Sequence, residues 1–205
     1  MQAIDFRLYL ITDRKATRLP LEEAVEEALK AGLKAVQLRE KDMTDQELLV
    51  LATRLRELSS RYGAKLFIND RVDVALLVGA DGVHLGHDSM PIPVVRVLVG
   101  DKMLIAKSTH GVDEAIEAAR KGADFITLGP IYETPSKLMY GDPIGLETLQ
   151  KVRKKVNIPV FAIGGIKEYN ISDVMGSRAD GIAVISGILS SDSVFNETKK
   201  YLESL

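Results

Sequence analysis

The 205-residue chain predicts a (β/α)8 barrel, one domain spanning residues 1–205. Three observations carry that reading. Short apolar runs alternate with longer amphipathic stretches about eight times from end to end, the signature of repeated βα units. No linker, low-complexity tract or composition break divides the chain. Polar residues gather directly after the apolar runs, at the strand ends where a barrel keeps its chemistry. An open doubly wound sheet satisfies the first two observations and stays open as an alternative.

Strand one is predicted over Leu8 to Thr12 and ends at Thr12-Asp13-Arg14. The helix from Pro20 to Ala31 opens on a proline, which suits a first turn, and stops at Gly32; Glu22, Glu23, Glu26 and Glu27 read as its solvated face. Strand two, Ala35 to Arg39, runs into Arg39-Glu40-Lys41. Thr44 with Glu47 forms a capping box for the helix to Tyr62, and Gly63 ends it. Strand three, Lys65 to Asn69, ends at Asn69-Asp70-Arg71, with a helix from Val72 to Val78. Strand four, Gly82 to Leu85, leads into Gly86-His87-Asp88-Ser89 and a helix from Pro91 to Val99. Strand five, Met103 to Ser108, ends at Lys107-Ser108-Thr109-His110 before a helix from Val112 to Lys121. Strand six, Phe125 to Gly129, opens a long loop from Tyr132 to Gly145 and a helix from Gly145 to Val156. Strand seven, Pro159 to Ile163, ends at Gly164-Gly165 before a helix from Tyr169 to Met175. Strand eight, Gly181 to Ser186, ends at Ser186-Gly187; Leu189-Ser190-Ser191-Asp192 reads as the cap of a last helix from Asp192 to Leu202. The phrase Gly-Ala-Asp, or a close variant, recurs at Gly79-Ala80-Asp81, Gly122-Ala123-Asp124 and Ser177-Arg178-Ala179-Asp180, each time carrying a helix back into the next strand.

Composition narrows the function. With 46% hydrophobic residues and a net charge of −2, a chain of this length buries about 70% of its unfolded surface. Its basic residues do not run in blocks, so no nucleic-acid partner is implied and any anion site must be built locally. The chain has no cysteine, which excludes disulfides, thiolate metal sites and thiol catalysis. No secretory signal core opens the sequence and no apolar run approaches the ~20 residues needed to span a bilayer, so the expected compartment is the cytoplasm.

The richest stretch is Gln37-Leu38-Arg39-Glu40-Lys41. Residues two apart on a strand share a face, so Gln37, Arg39 and Lys41 should converge on an anion, Arg by bidentate contact and Lys as a mobile charge. Solvated charges at a strand end are the plainer reading. Asn69-Asp70 adds an amide and a carboxylate on the next strand; Asp70 either caps the following helix or binds magnesium, which takes one or two protein oxygens and completes its shell with phosphate and water. Gly164-Gly165 and Ser186-Gly187 follow strands seven and eight, where barrels commonly bind phosphate, although a glycine pair also makes a plain tight turn. His84, His87 and His110 raise a three-histidine zinc site, disfavoured because His84 lies within a strand and no carboxylate-rich surroundings support it. Lys107 sits where Schiff-base aldolases keep a lysine, but alternation with Ser108 turns it away from a ligand.

Read in order, Leu8-Tyr9-Leu10-Ile11-Thr12-Asp13, Gln37 to Lys41, Ile68-Asn69-Asp70, Asp81-Gly82-Val83-His84-Leu85-Gly86, Gly129-Pro130-Ile131-Tyr132, Ala162-Ile163-Gly164-Gly165-Ile166 and Asp180-Gly181-Ile182-Ala183-Val184-Ile185-Ser186 resemble thiamine phosphate synthases over nearly the whole chain. The resemblance implies coupling of hydroxymethylpyrimidine diphosphate to a thiazole phosphate, by departure of diphosphate and capture of the resulting cation, with Mg2+ as cofactor and a homodimer as assembly. It implies that Gln37, Arg39, Lys41 and Asn69 hold the pyrimidine diphosphate, and that Ser108 and Lys137 complete the anion cage. Arg39, Lys41, Ser108 and Lys137 would carry the catalysis. It further implies that Thr134 and Ser136 hold the thiazole phosphate with Gly164, Gly165, Ile185 and Ser186, and that Asp70 binds the metal. One position departs from the pattern: Ser89 stands where the family has a second metal-binding aspartate, with Asp88 one residue away as a substitute. Serine there is shared with a sister group, the thiazole tautomerases, in which His110 would serve as acid or base. The tautomerase pattern has a histidine after the strand-six glycine, where this chain has Pro130. A binding paralogue without turnover is the third alternative.

Overall fold

The computed structural model describes residues 4–134 and 142–205 and closes eight parallel strands into a barrel in sequence order, β1 pairing with β8. The strands are β1 (Leu8–Ile11), β2 (Ala35–Leu38), β3 (Lys65–Asn69), β4 (Gly82–Leu85), β5 (Leu104–Thr109), β6 (Phe125–Leu128), β7 (Val160–Ile163) and β8 (Gly181–Val184). The helices outside them are α1 (Leu21–Lys30), α2 (Asp45–Arg61), α3 (Val72–Val78), α4 (Ile92–Val99), α5 (Val112–Arg120), α6 (Gly145–Arg153), α7 (Ile171–Gly176), α8 (Ser186–Leu189) and α9 (Val194–Glu203). The (β/α)8 expectation holds, and the open sheet is set aside by the β1–β8 pairing that closes the ring.

Several boundaries move for local reasons. α6 ends at Arg153 rather than Val156, because the Arg153 guanidinium donates to the Val156 and Ile158 carbonyls and fixes a turn there. The predicted helix from Tyr169 begins as a 3-10 turn at Glu168–Asn170 before α7. Leu189-Ser190-Ser191-Asp192 is not the cap of the last helix: those serines close a short helix, α8, through Ser190 N–H to the Ser186 carbonyl and Ser191 Oγ to the Ile188 carbonyl. Ser193 caps α9 instead, accepting from the Asn196 N–H. The Thr44–Glu47 capping box is present on α2 as predicted.

The barrel has two cores. Outside, the strands' outward residues pack against the helices. Inside, the amino-terminal half of the barrel is plugged by Phe6, Tyr9, Phe67, Phe125 and Phe161, whose neighbouring rings stand 5.2–6.3 Å apart. Gly82 and Gly181 leave room for this plug, since a Cβ on either would lie within 2.5 Å of the Phe67 or Phe161 ring. Filling one end of the barrel with aromatic area leaves the other end for polar groups.

The recurring Gly-Ala-Asp phrase is a clamp on the amino-terminal face. Asp81, Asp124 and Asp180 each donate a backbone N–H to the preceding strand, at Leu66, Ile105 and Val160. Each carboxylate accepts the N–H of that same residue at 2.7–2.8 Å. An arginine from the helix before that strand completes each clamp: Arg56 on Asp81, Arg96 on Asp124, Arg153 on Asp180. The clamp thus joins β3 to β4, β5 to β6 and β7 to β8, and Lys34 stands at the equivalent position before β2.

Candidate active site

Above the aromatic plug the barrel interior turns polar. Gln37 on β2 is buried and its Nε2 donates to the Tyr9 hydroxyl at 3.0 Å. The Tyr9 oxygen lies 3.4 Å from His84 Nδ1, and His84 Nε2 lies 2.9 Å from Ser108 Oγ. Thr127 Oγ1 reaches the same Ser108 oxygen at 3.5 Å. Burial pushes the His84 imidazole down to about 3; Asp70 opposes the shift and the Arg39 and Lys107 charges add to it, so the ring is neutral. Period two explains the layer: Tyr9, Gln37, His84, Ser108 and Thr127 occupy inward positions on five strands. Sequence reasoning passed over Tyr9 and Thr127, and weighed His84 only as a zinc ligand. Both His84 nitrogens face protein partners here, and His110 Nδ1 lies 2.6 Å from the Gly129 carbonyl oxygen.

The rim of the cup is organised by Glu40. It is buried, accepting from Thr12 Oγ1 at 2.8 Å and from the Arg14 N–H and Nη1 at 3.1 and 3.2 Å, while Thr12 Oγ1 accepts from the Arg39 N–H. With Glu40 turned into this network, Arg39 beside it is half-buried and Lys41 is exposed in the turn that follows β2. Lys41 is close enough to Asp70 to favour its ionised form, and Arg39 close enough to His84 to disfavour its protonation. Gln37 is spent in the buried layer, bonded to Tyr9, while Lys41 acts on Asp70 and Arg39 on His84.

The Asp70 side chain does not cap α3, whose N-cap residue is Arg71, its guanidinium bonded to the Asp73 carboxylate rather than capping the helix. Instead Asp70 takes a left-handed backbone (φ 59°) and aims its carboxylate across to the β4 loop. Oδ1 accepts from the Gly86 N–H at 3.0 Å and from the Ser89 hydroxyl, and Oδ2 accepts from the Asn69 amide at 2.8 Å. Burial opposes ionisation, but these three donors and Lys41 outweigh it and hold the carboxyl below its usual range. Ser89 thus stands beside Asp70, as the metal reading asks, with its hydroxyl proton committed to that carboxylate. Asp88 is exposed. Among the described residues no three His, Cys, Asp or Glu side chains form a metal cluster. Lys107 faces outward from the barrel, as alternation predicts, yet its ammonium returns to the rim and donates to the Gly86 carbonyl.

On the far side of the mouth, Gly164 and Gly165 have φ of 98° and 66°. The chain from β6 lies directly over them, Ile131 N–H on the Ile163 carbonyl and Tyr132 N–H on the Gly164 carbonyl, so a Cβ on Gly164 would come within 2.6 Å of Pro130 and one on Gly165 within 2.6 Å of Tyr132. No side chain fits either position. The Asn170 amide donates to the Gly165 carbonyl and the buried Tyr201 hydroxyl to the Ile166 carbonyl, bracing the turn from below. Ile185 and Ser186 follow β8 and open α8. Thr134 is the last residue described before the loop; Ser136 and Lys137 lie outside the described residues.

Comparison with known proteins decides the family. Residues 8–188 match the profile described as thiamine monophosphate synthase. A putative thiamine-phosphate synthase of Geobacter sulfurreducens is 53% identical over 190 residues, covering 92% of this chain and 89% of its own. The chain belongs to the thiamine monophosphate synthase family. A thiamine-phosphate synthase of Chloroflexus aurantiacus is 46% identical, covering 93% of this chain and 88% of its own. The thiamine phosphate pyrophosphorylase of Pyrococcus furiosus superposes with a TM-score of 0.89 at 40% identity, covering 97% of this chain and 94% of its own. Membership in the family makes the chain a transferase of thiamine biosynthesis.

Proposed function

We propose that this chain condenses a hydroxymethylpyrimidine diphosphate with a thiazole phosphate, giving thiamine phosphate and diphosphate, at the carboxyl ends of its barrel strands. The observation that carries the reading is a Lys41 charge near enough to act on the Asp70 carboxylate, itself bonded to Asn69, and an Arg39 charge near enough to act on His84, across the mouth from the Gly164–Gly165 turn. Each half suits one anion. The cationic rim takes the diphosphate, and the glycine turn with Ile185 and Ser186 takes the single phosphate, where barrels commonly bind one.

The chemistry asks little of proton transfer. The bond between the pyrimidine methylene and the diphosphate oxygen breaks, both electrons leaving with diphosphate. The thiazole nitrogen lone pair then forms the new C–N bond to the methylene carbon. Arg39, Lys41 and, from outside the described residues, Lys137 neutralise charge growing on the leaving oxygens, with Ser108 completing the anion cage; Gln37 and Asn69 hold the pyrimidine half, and Thr134 and Ser136 join in holding the thiazole phosphate. Catalysis is then electrostatic and positional.

The donor set fits magnesium in a one-carboxylate form. Asp70 Oδ2 keeps a lone pair beyond its single bond to Asn69, Mg2+ is satisfied by one carboxylate with phosphate oxygens and water, and Ser89 holds the carboxylate in place. When bound, the ion supplies further neutralisation of the diphosphate. The cytoplasm is the proposed compartment and a homodimer the proposed assembly.

The test is direct. Purified protein with both phosphorylated precursors and Mg2+ should release thiamine phosphate and diphosphate in equal amounts. Conversion or deuterium exchange of a thiazole phosphate carboxylate alone, with no coupling, would make it a tautomerase; tight binding with neither reaction would make it a binding protein.

A further inference from the structure

Lys107 stands where a barrel strand should be apolar. Its outward position on β5 lies between Leu85 of β4 and Ile126 of β6, both fully buried, and two residues beyond the equally buried Ile105. An ammonium in such company is costly to keep charged: burial lowers its pKa, while Asp70, Glu114 and Asp88 work the other way. Neither the diphosphate rim nor the glycine turn uses this cation.

Its bond explains its place. The ammonium donates to the Gly86 carbonyl, and the Gly86 N–H donates to Asp70 Oδ1 at 3.0 Å. The peptide groups on both sides of the Gly86 α-carbon are thus held, one from β5 and one from the end of β3. Ser89, three residues on, gives its hydroxyl proton to the same Oδ1. Gly86 also lies against that pair, since a Cβ on it would meet Asp70 Oδ1 and Ser89 Oγ at 3.6 Å. Every direction here is set by the chemistry of the groups: an ammonium and a backbone N–H only donate, and an ionised carboxylate only accepts.

We propose that Lys107 is a positioning residue that anchors the β4 loop against Asp70, so that the protein holds Oδ1 and presents Oδ2 to a divalent cation. It acts through Gly86 and Ser89. Magnesium demands near-octahedral geometry at short distances, so a carboxylate free to turn is a poor ligand for it. The anchor matters more in this chain because Ser89 brings a hydroxyl and no second carboxylate, which leaves the orientation of Asp70 to carry the site. The metal half of this inference rests on the proposed function; the anchor itself does not.

The anchor is tested on the metal-free protein. Lys107→Met keeps the length of the side chain and its apolar contacts and removes only the ammonium. In NMR hydrogen exchange the Gly86 amide should then exchange about tenfold or more faster, as the loop opens locally. The Ile105 amide, held by Asp124 at the other end of the barrel, should keep its wild-type rate. An unchanged Gly86 rate overturns the proposal whether or not the protein is a synthase, and so does equal acceleration at both amides. The metal half is read from melting temperature titrated with Mg2+ in the presence of inorganic pyrophosphate. The Mg2+ midpoint should rise by about tenfold or more in Lys107→Met, the usual scale for groups that orient a metal's ligands. A wild-type midpoint in the variant overturns that half. No Mg2+ response in the wild-type chain would overturn the metal reading of Asp70 itself, with the exchange rates still deciding the anchor. Should Lys107→Met fail to fold, Lys107→Leu removes the same donor and carries both readouts.

Discussion

Arg39 and Ser89 show how much single side chains decide at this rim. Truncating Arg39 removes a charge that the leaving diphosphate needs most as its bond breaks, so Arg39→Ala should lower kcat/KM by roughly 10²–10³-fold; steady-state kinetics measures it. Ser89 is subtler, because its hydroxyl helps hold the Asp70 carboxylate in the ionised form. Ser89→Asp exchanges that donor for a second carboxylate. Magnesium binding should tighten, read as a larger Mg2+-induced rise in melting temperature, while the metal-free protein should melt lower from repulsion between adjacent carboxylates; an unchanged Mg2+ response would mean that the β4 loop does not hold the ion. His84 adds a pH dependence. Its folded value of about 3 lies below the ~6.5 of an unfolded histidine, so below pH 6.5 the unfolded chain binds a proton the native one refuses. The stability from keeping this ring neutral is whole above pH 6.5 and drains by about 1.4 kcal/mol per pH unit as pH falls toward 3. His84→Asn should flatten the fall between pH 6 and 5 in urea titrations, a window above the Asp70 titration.

At the scale of elements, the alternation of strands and helices was legible because two periodicities, 2 and 3.6, mark the chain so clearly that strand bounds shift by one residue or so. The site was legible only where a strand end carries charge. Arg39, Lys41, Asn69 and Asp70 announced themselves, whereas Tyr9 and His84 look like ordinary inward residues until neighbouring strands bring their polar atoms together. Glu40 was hidden differently: a carboxylate between two cations reads as solvated, yet it is buried against the Thr12 hydroxyl. The Gly-Ala-Asp repeat was visible as a phrase, and its meaning needed the register, since each aspartate grips the strand before the one it introduces. Asp124 is the most buried of these acids, its side chain 11% exposed, and it holds both Arg96 and the Ile105 N–H. Asp124→Ala strands both donors and should cost about 2–3 kcal/mol, lowering the melting temperature by roughly 5–10 °C. Because the clamp sits at the end of the barrel away from the rim, kcat at 25 °C should hold.

Across the whole molecule the apolar surface is unevenly spread. Among the described residues ten large apolar side chains are exposed, and six of them, Leu76, Leu77, Met90, Val94, Val97 and Leu98, belong to the neighbouring helices α3 and α4 and the loop from β4 into α4. Val94, Val97 and Leu98 are spaced to share one helix face. The only charge on α4 is Arg96, and its guanidinium is occupied by the Gly100, Met103 and Gly122 carbonyls and Asp124, so the outward face carries no charge. An uncharged face can meet its own copy across a two-fold axis without repulsion, which makes a second copy of this chain the occupant that fits it best. The proposed homodimer should therefore use α3 and α4. Val97, 84% exposed, contributes almost nothing to the monomer's core, so Val97→Glu should leave the fold and melting curve of a monomer nearly untouched while setting two carboxylates against each other across the axis. Sedimentation should then give a dimer for the native chain and a monomer for Val97→Glu at the same concentration; a dimer in both would move the interface elsewhere on the barrel.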